Sequence, residues 1–302
     1  MKSVAIIILN WKQPQLTVDT IDSVLKIKDS NFKYKIILID NGSPDNSLNI
    51  LKTKYSKNKL IEIISTKSNL GYAAGNNFGI KYALKNKYDY LMVLNNDVIV
   101  DPLFVQNLIK ELNNYDIVGP KIYFAPGFEY HKDRYQKKDL GKIIWSMGGK
   151  VDWDNIYGSN IDIDEVDHGQ FNKIITNLDF ISGCCFIARR EVFEKIGNFD
   201  EKYFMYLEDV DFCHRAKITG FTLACIPTSV IWHVNSGSTK GPGHLQNYFI
   251  TRNRMYFAKK FAKPRTKFAI YRESFKFLFK SHWQRRAVID FYIQKMNKGS
   301  WK

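Results

Sequence analysis

An α/β fold built around a mostly parallel sheet is predicted by three features of the sequence. Apolar runs alternate with helical patterns through the first 120 residues. The runs are continuous, not alternating, as in strands covered on both faces. Each run ends in polar residues, as in open sheets that bind ligands at the carboxyl ends of their strands.

The elements follow in order. "VAIIILN" (4–10) is the first strand. Leu16, Ile21, Val24 and Leu25 recur at helical spacing over 14–27. "YKIILIDNGS" (34–43) is a strand running into turn residues, and 45–55 is helical. "LIEIIS" (60–65) is a strand, "AAGNNFGIKYALK" (73–85) a helix and "YDYLMVLNND" (88–97) a strand. Pro102 opens a helix to about Leu112, since proline suits a first turn. "DIVGPKIY" (116–123) is a fifth strand. Residues 125–180 lose periodicity and read as an insertion, with a hairpin within "IIWSMGGKVDWDNIYG" (143–158). Strand-helix order returns from "FISGCC" to "SVIWH".

The 302 residues, 45% of them hydrophobic, suffice for one large core. No apolar run approaches the length of about 18 residues that spans a membrane, and the N-terminus lacks a signal-peptide pattern. Cys184, Cys185, Cys213 and Cys225 show no CxxC spacing and read as reduced, buried thiols of a cytoplasmic protein. The formal net charge is +15, and residues 251–302 carry 15 Lys or Arg against Glu273 and Asp290. That local +13 leaves only +2 for residues 1–250. Charge confined to one end argues against nucleic acid as the partner.

Asn10-Trp11, Asp40-Asn41, Asn69 and Asn95-Asn96-Asp97 all fall just after predicted strands, hence at one sheet edge. Gly71, Gly75 and Asn77 follow Asn69 where a loop and helix start can present backbone N–H groups to an anion. Glu208, Asp209 and Asp211 lie within four residues after "YFMY". Three close carboxylates oppose folding unless they are paired or do chemistry.

The segments "IIILNWK", "ILIDNGSPDNS", "NLGYAAGNNFGI", "VLNNDVIV", "FISGCCFIARREVFEKIGNFDEKYFMYLEDVDFCHRAK" and "IWHVNSGST" resemble, in that order, the motif series of family 2 glycosyltransferases. The rhamnosyltransferase-like branch is the most similar, over about residues 3–260. The resemblance implies an inverting enzyme with a GT-A type, Rossmann-like α/β/α sandwich in residues 1–240. Its nucleotide-sugar half would be about 1–123 and its acceptor half 124–240, followed by a helical basic and aromatic extension over 241–302. It implies a nucleoside-diphosphate sugar donor, with deoxythymidine-diphosphate rhamnose ranked first and a uridine-diphosphate sugar second. The acceptor would be a glycan or polyprenyl-linked glycan of cell-surface polysaccharide assembly.

Residue by residue, Asp97 stands at the family's DxD-type motif, where Mg²⁺ or Mn²⁺ bridges the donor diphosphate with few protein carboxylates. Asn95 replaces the first acid, so less negative charge is supplied here. His233 completes the metal or diphosphate site. Asp40 accepts from the pyrimidine, although Asp-Asn-Gly-Ser is also ordinary turn chemistry. Asn10, Asn69, Gly71, Asn77, Asn95 and Asn96 line the donor. Asp209 is the general base, Glu208 orients the acceptor, and Asp211 braces the next helix with Arg215. Ser236–Gly241 is a lid, and Gly183 precedes a strand on the acceptor side.

The C-terminal segment interleaves Lys and Arg with Phe257, Phe261, Phe268, Tyr271, Phe275, Phe277, Phe279 and Trp283. It reads as amphipathic helices docking an anionic membrane, which places the enzyme peripherally on the cytoplasmic face. Arg252 and Arg254 are candidates for the donor diphosphate. A nucleotidyltransferase would carry a glycine-rich basic loop after its first strand, and "NWKQPQ" is not one. A non-catalytic glycan- or membrane-binding homologue would be expected to lose the Glu208–Asp209 pair, which is intact.

Overall fold

The computed structural model describes residues 1–28, 31–131, 133–234 and 243–301. Strands β1 (Lys2–Asn10), β2 (Phe32–Asp40), β3 (Ile61–Ser65) and β4 (Tyr90–Leu94) alternate with helices α1 (Pro14–Val24), α2 (Ser47–Tyr55) and α3 (Gly71–Lys85). These four strands are parallel. Residues of β1 alternate between two cores. Ala5 and Ile7 join the cluster with α3, while Val4, Ile6 and Ile8 join the cluster with α1, and all five are fully buried. Full burial of one such side chain contributes about 1.5–3 kcal/mol, so both faces demand apolar residues and the run reads as continuous. The helix α3 lies so near β1 that a Cβ at Gly79 would sit 2.5 Å from Ile7.

The "VLNNDVIV" stretch contains two strands. β4 stops at Leu94, and β5 (Val98–Val100) starts a new direction. Pro102 lies in the turn before α4 (Phe104–Glu111), and β6 (Ile117–Phe124) follows. The insertion supplies β7 (Ile144–Ser146), which pairs with β6, and the expected hairpin, β8 (Gly149–Asp152) with β9 (Tyr157–Asn160). Then come β10 (Cys185–Arg189), α5 (Arg190–Ile196), a 3-10 turn at Glu201–Tyr203, α6 (Glu208–Ile218) and β11 (Leu223–His233).

The main path of the sheet is β3-β2-β1-β4-β10-β6-β11-β5. Beyond β4 it is mixed. β10 is antiparallel to β4 and β6, while β6 and β11 are parallel. The reversal of β10 is functional geometry. Its first residue, Cys185, pairs with Leu94, so the loop entering β10 reaches the edge where the parallel strands end.

Three helices close the chain: α7 (His244–Phe261), α8 (Pro264–Phe277) and α9 (His282–Tyr292). Met255, Phe257, Ala258, Ile270, Phe277 and Phe291 enter the same core as Phe186 of β10 and Phe212 of α6. The basic-aromatic segment is therefore divided. Phe257 and Phe277 are buried, while Phe268, Phe275 and Phe279 are exposed. The four cysteines are free and buried. No helix among the described residues is long and apolar enough to cross a membrane.

Candidate active site

β1 and β2 stay in register to their last residues, Asn10 beside Asp40, and Ile8 of β1 is beside Leu94 of β4. Side chains stitch these ends together. Asn10 Nδ2 donates to Asp40 Oδ1 (2.9 Å), Thr17 Oγ1 donates to Asn10 Oδ1 (2.9 Å), and Asn96 Nδ2 donates to Thr17 Oγ1 (2.9 Å). Ser43 N–H donates to the other Asp40 oxygen at 3.1 Å. Asn10 and Asn96 thus hold the edge together, and each Asp40 oxygen accepts one of these hydrogen bonds. In the next loop Asn69 Oδ1 accepts from Gly71 N–H (2.8 Å) and Asn41 Nδ2 (3.2 Å). Gly71 has φ +83°, and a Cβ there would lie 2.4 Å from the Phe204 ring. Both facts require glycine.

Asp97 follows β4 by three residues, and His233 ends β11. His233 Nε2 lies 3.2 Å from Asp97 Oδ1. Asn95 Oδ1, Asp97 Oδ1 and His233 Nδ1 are buried with no hydrogen-bond partner among the described residues. The imidazole is braced edge-on by Trp145, with ring centroids 4.6 Å apart. Groups this well buried are normally satisfied, and here the one contact among these three atoms is that between Asp97 Oδ1 and the His233 ring.

The second acidic centre opens α6. Asp209 Oδ2 accepts from Gly183 N–H at 2.8 Å, and Asp209 Oδ1 accepts from Val210 N–H at 2.8 Å. Tyr72 OH donates to Gly183 O at 2.6 Å. Burial pushes the Asp209 carboxyl above its ordinary value, against the pull of those N–H donors. Burial, then the charges of Asp209 and Asp211, pushes Glu208 well above its ordinary value. Asp211 is neutralised within the fold. It pairs with Arg215 Nε (2.6 Å) and with Lys260 of α7, and accepts from Tyr203 OH (3.0 Å).

The two centres meet. Asn95 N–H donates to Cys184 O at 2.8 Å, and the adjacent Gly183 holds Asp209. The Tyr72 hydroxyl feels the charges of Glu208, Asp209 and Asp97 at once. The carboxylate at the start of α6 and the strand-end carboxylate therefore lie at one edge.

Other expected residues fall elsewhere. Asn77 is not a donor contact: its amide bonds Phe199 O (2.9 Å), Glu201 Oε1 (3.0 Å) and Phe199 N–H (3.0 Å), which tethers α3 to the loop before α6. Arg252 and Arg254 are likewise not free for a diphosphate. Arg252 is fully buried and donates to Tyr203 O (3.0 Å) and Asn297 O (2.7 Å). Arg254 pairs with Glu273 (2.8 Å), donates to Asn155 O (2.7 Å) and stacks on Tyr157. The Ser236–Gly241 lid lies outside the described residues. Thr17 and Tyr72 were not anticipated, because hydroxyls this common carry no pattern until the fold juxtaposes them.

The sequence profile of Glycosyl transferase family 2 matches residues 3–197. A low-salt glycan biosynthesis hexosyltransferase (Agl10) of Haloferax volcanii is 24% identical over 84% of this chain and 75% of its own. An N-acetylglucosaminyl-diphospho-decaprenol L-rhamnosyltransferase of Mycobacterium tuberculosis is 25% identical over 68% of this chain and 67% of its own. In the structure of GalNAc-T7 with UDP, GalNAc and Mn²⁺, the same GT-A type fold superposes with a TM-score of 0.63 and 16% identity. That match spans 94% of this chain and 58% of the other. With the profile matching well over half of the chain, and the strand-end and helix-start acids gathered at one edge, the chain belongs to glycosyltransferase family 2 and is a glycosyltransferase.

Proposed function

We propose that the protein transfers a sugar from a nucleoside-diphosphate donor to a hydroxyl of a glycan or polyprenyl-linked glycan, with inversion at the anomeric carbon. The observation that carries this reading is the Asn95–Cys184–Gly183–Asp209 link, which sets the two acidic centres side by side. Asp209 takes the proton of the acceptor hydroxyl as it attacks. Gly183 N–H and Val210 N–H hold its carboxylate in one orientation. Glu208 orients the acceptor. Asp40 accepts from the pyrimidine ring N–H, and Asn69 and Gly71 shape the loop beside it.

The residues fit a divalent cation held largely by its substrate. No cluster of three or more His, Cys, Asp or Glu is found among the described residues, while Asp97 Oδ1 is buried without a hydrogen-bond partner beside His233. Mg²⁺ and Mn²⁺ take few protein ligands alongside phosphate oxygens and waters. Asp97 and His233 would hold such an ion, which would supply positive charge to offset that of the departing diphosphate. A rhamnosyl or hexosyl donor is favoured by the named relatives.

The membrane is the proposed working surface. Phe268 and Phe275, seven residues apart on one face of α8, are 69 and 57% exposed, and Phe279, in the turn just past the helix, is 90% exposed. Exposed Arg265, Arg272, Lys276, Lys280, Arg285 and Arg286 surround them. Polyprenyl-linked acceptors reside at such surfaces, which suits a peripheral enzyme on the cytoplasmic face.

The test is a panel of nucleotide sugars screened for a rise in melting temperature with Mg²⁺ or Mn²⁺. The donor found this way is then used to assay Asp209→Asn. Retained donor binding with turnover lowered about 10²–10⁴-fold is expected. Substantial transfer by the variant at neutral pH would refute the role of Asp209.

A further inference from the structure

The backbone leading into Glu208 and Asp209 is held in an unusual shape. Phe204, Tyr206 and Leu207 have φ of 66°, 67° and 70°, in the left-handed region that side chains other than glycine rarely enter. Leu207 is the residue on which α6 starts, and it has no side-chain cap. A segment of this kind persists only when its surroundings over-determine it.

One side chain of α7 does most of that. Asn253 is fully buried, and its Nδ2 donates to Tyr203 O (2.9 Å), Met205 O (2.8 Å) and Tyr206 O (2.9 Å). The orientation of the amide is not ambiguous. Arg252 Nε and Nη2 point at Asn253 Oδ1 from 3.1 and 3.0 Å, so the oxygen faces the guanidinium and the NH₂ must face the three carbonyls. Arg252 adds its own bonds to Lys202 O (3.3 Å) and Tyr203 O (3.0 Å). From the other side, Phe204 stacks on Phe249 with centroids 5.0 Å apart, and Phe204 O accepts from Ala73 N–H of α3 at 3.0 Å.

We infer that Asn253 is a positioning residue for the Glu208–Asp209 pair: by gathering three carbonyls of the left-handed segment, it sets where α6 begins and so where the acidic pair stands. The first helices after the catalytic sheet are then part of the catalytic assembly. This rests on the reading of Asp209 as the base.

The experiment uses the full chain and the nucleotide sugar that raises the melting temperature most. Asn253→Ala and Asn253→Ser are compared with the parent for kcat, donor KM, melting temperature and calorimetric binding of UDP and dTDP with Mn²⁺. A kcat lower by about 10–100-fold is expected for Ala, with a smaller loss for Ser, which keeps one donor. Nucleotide binding should stay within about twofold. The acidic limb of the kcat/KM profile should move to lower pH, because a loosened helix start admits water to the Asp209 carboxyl and relieves the burial that raises it. Leu207→Gly on top of Asn253→Ala should recover part of kcat, since glycine holds that φ without help. Should Asn253→Ala not fold, the Ser variant and its Leu207→Gly double carry the comparison. Unchanged kcat and pH profile would overturn the inference, as would a kcat loss that Leu207→Gly deepens. Asp209→Asn, run alongside, separates the failures: if it is active, the base assignment falls, whatever Asn253 does.

Discussion

Helices α7 and α8 have the same kind of composition and opposite placements. In α7 the arginines are inside: Arg252, Asn253 and Arg254 are buried together with Tyr248, Phe249 and Phe257. In α8 two of the three phenylalanines are outside, with Phe268 and Phe275 facing solvent, while Thr266 and Ser274 are buried beside Ile270 and Phe277. Apolar burial alone explains neither the buried arginines of α7 nor the exposed rings of α8. The difference lies in what each helix meets. α7 meets the left-handed segment at 203–207, whose carbonyls cannot be served by regular structure, and buried carbonyls require donors. α8 packs on α7 and α9 through residues such as Ile270 and Phe277 and leaves Phe268 and Phe275 largely in solvent, Phe275 touching only the half-exposed Tyr292 ring among the described aromatics.

Breaking the inner arrangement should have the largest effect. Arg252→Met keeps most of the volume and removes bonds to Lys202 O, Tyr203 O, Asn297 O and Asn253 Oδ1. Each buried acceptor left without its donor costs about 1–3 kcal/mol, so the loss of several lowers the melting temperature on the order of 10 °C for a chain of this size. Arg252→Lys should not restore it, because an ammonium cannot span these acceptors. A melting temperature within about 2 °C of the parent would show that α7 is held by its aromatics and that Arg252 is incidental.

The outer arrangement should respond oppositely. Replacing Phe268, Phe275 and Phe279 with Ser removes no buried contact and should leave the melting temperature nearly unchanged. At roughly 1 kcal/mol per partly inserted ring, the triple variant should bind phosphatidylglycerol vesicles about a hundredfold more weakly. Binding by the parent should fall with salt, as Lys and Arg near an anionic surface contribute about 1 kcal/mol each and are screened over about 8 Å at physiological ionic strength. Equal co-sedimentation of parent and variant would leave these rings as mere surface.

Legibility followed the same divide. The placement of Asp40, Asn95 and Asp97 at or just after strand ends was readable, because there local sequence decides position. β5 was hidden because "VIV" continues the apolar run, and only its antiparallel pairing with β11 separates it from β4. The antiparallel direction of β10 was hidden for the same reason, since strand direction is set by distant partners. Arg252 and Arg254 were misread because charge at a C-terminal helix suggests solvent or phosphate, and the carbonyls they serve lie 49–50 and 99 residues away in sequence. Asp211 was readable because Arg215 sits four residues on, within one helix turn.

The smallest expected effect concerns the charge that the α7 clamp holds in place. Glu208 is 5% exposed, and its Oε2 has no hydrogen-bond partner among the described residues. Burial first, then Asp209 and Asp211, raise its carboxyl well above the ordinary 4.5. A raised folded-state value means the native protein keeps this proton longer than the unfolded chain does. Below the unfolded value both forms hold the proton and the group is neutral in the balance. As pH rises past it, the unfolded chain ionises first, and stability falls until the native carboxyl has ionised too. At neutral pH, Glu208 therefore works against folding. Glu208→Gln should stabilise the protein at pH 7–8 by about 1 kcal/mol, the lower end of the cost of an unsatisfied buried group. That is a rise of roughly 2–4 °C, fading as pH approaches 4. The same variant should lose acceptor orientation and so raise acceptor KM. Melting curves of parent and variant at several pH values decide the matter: a Gln variant no more stable than the parent at any pH would mean that the carboxylate is stabilised where it stands, and that the acidic pair opposes folding less than its burial implies.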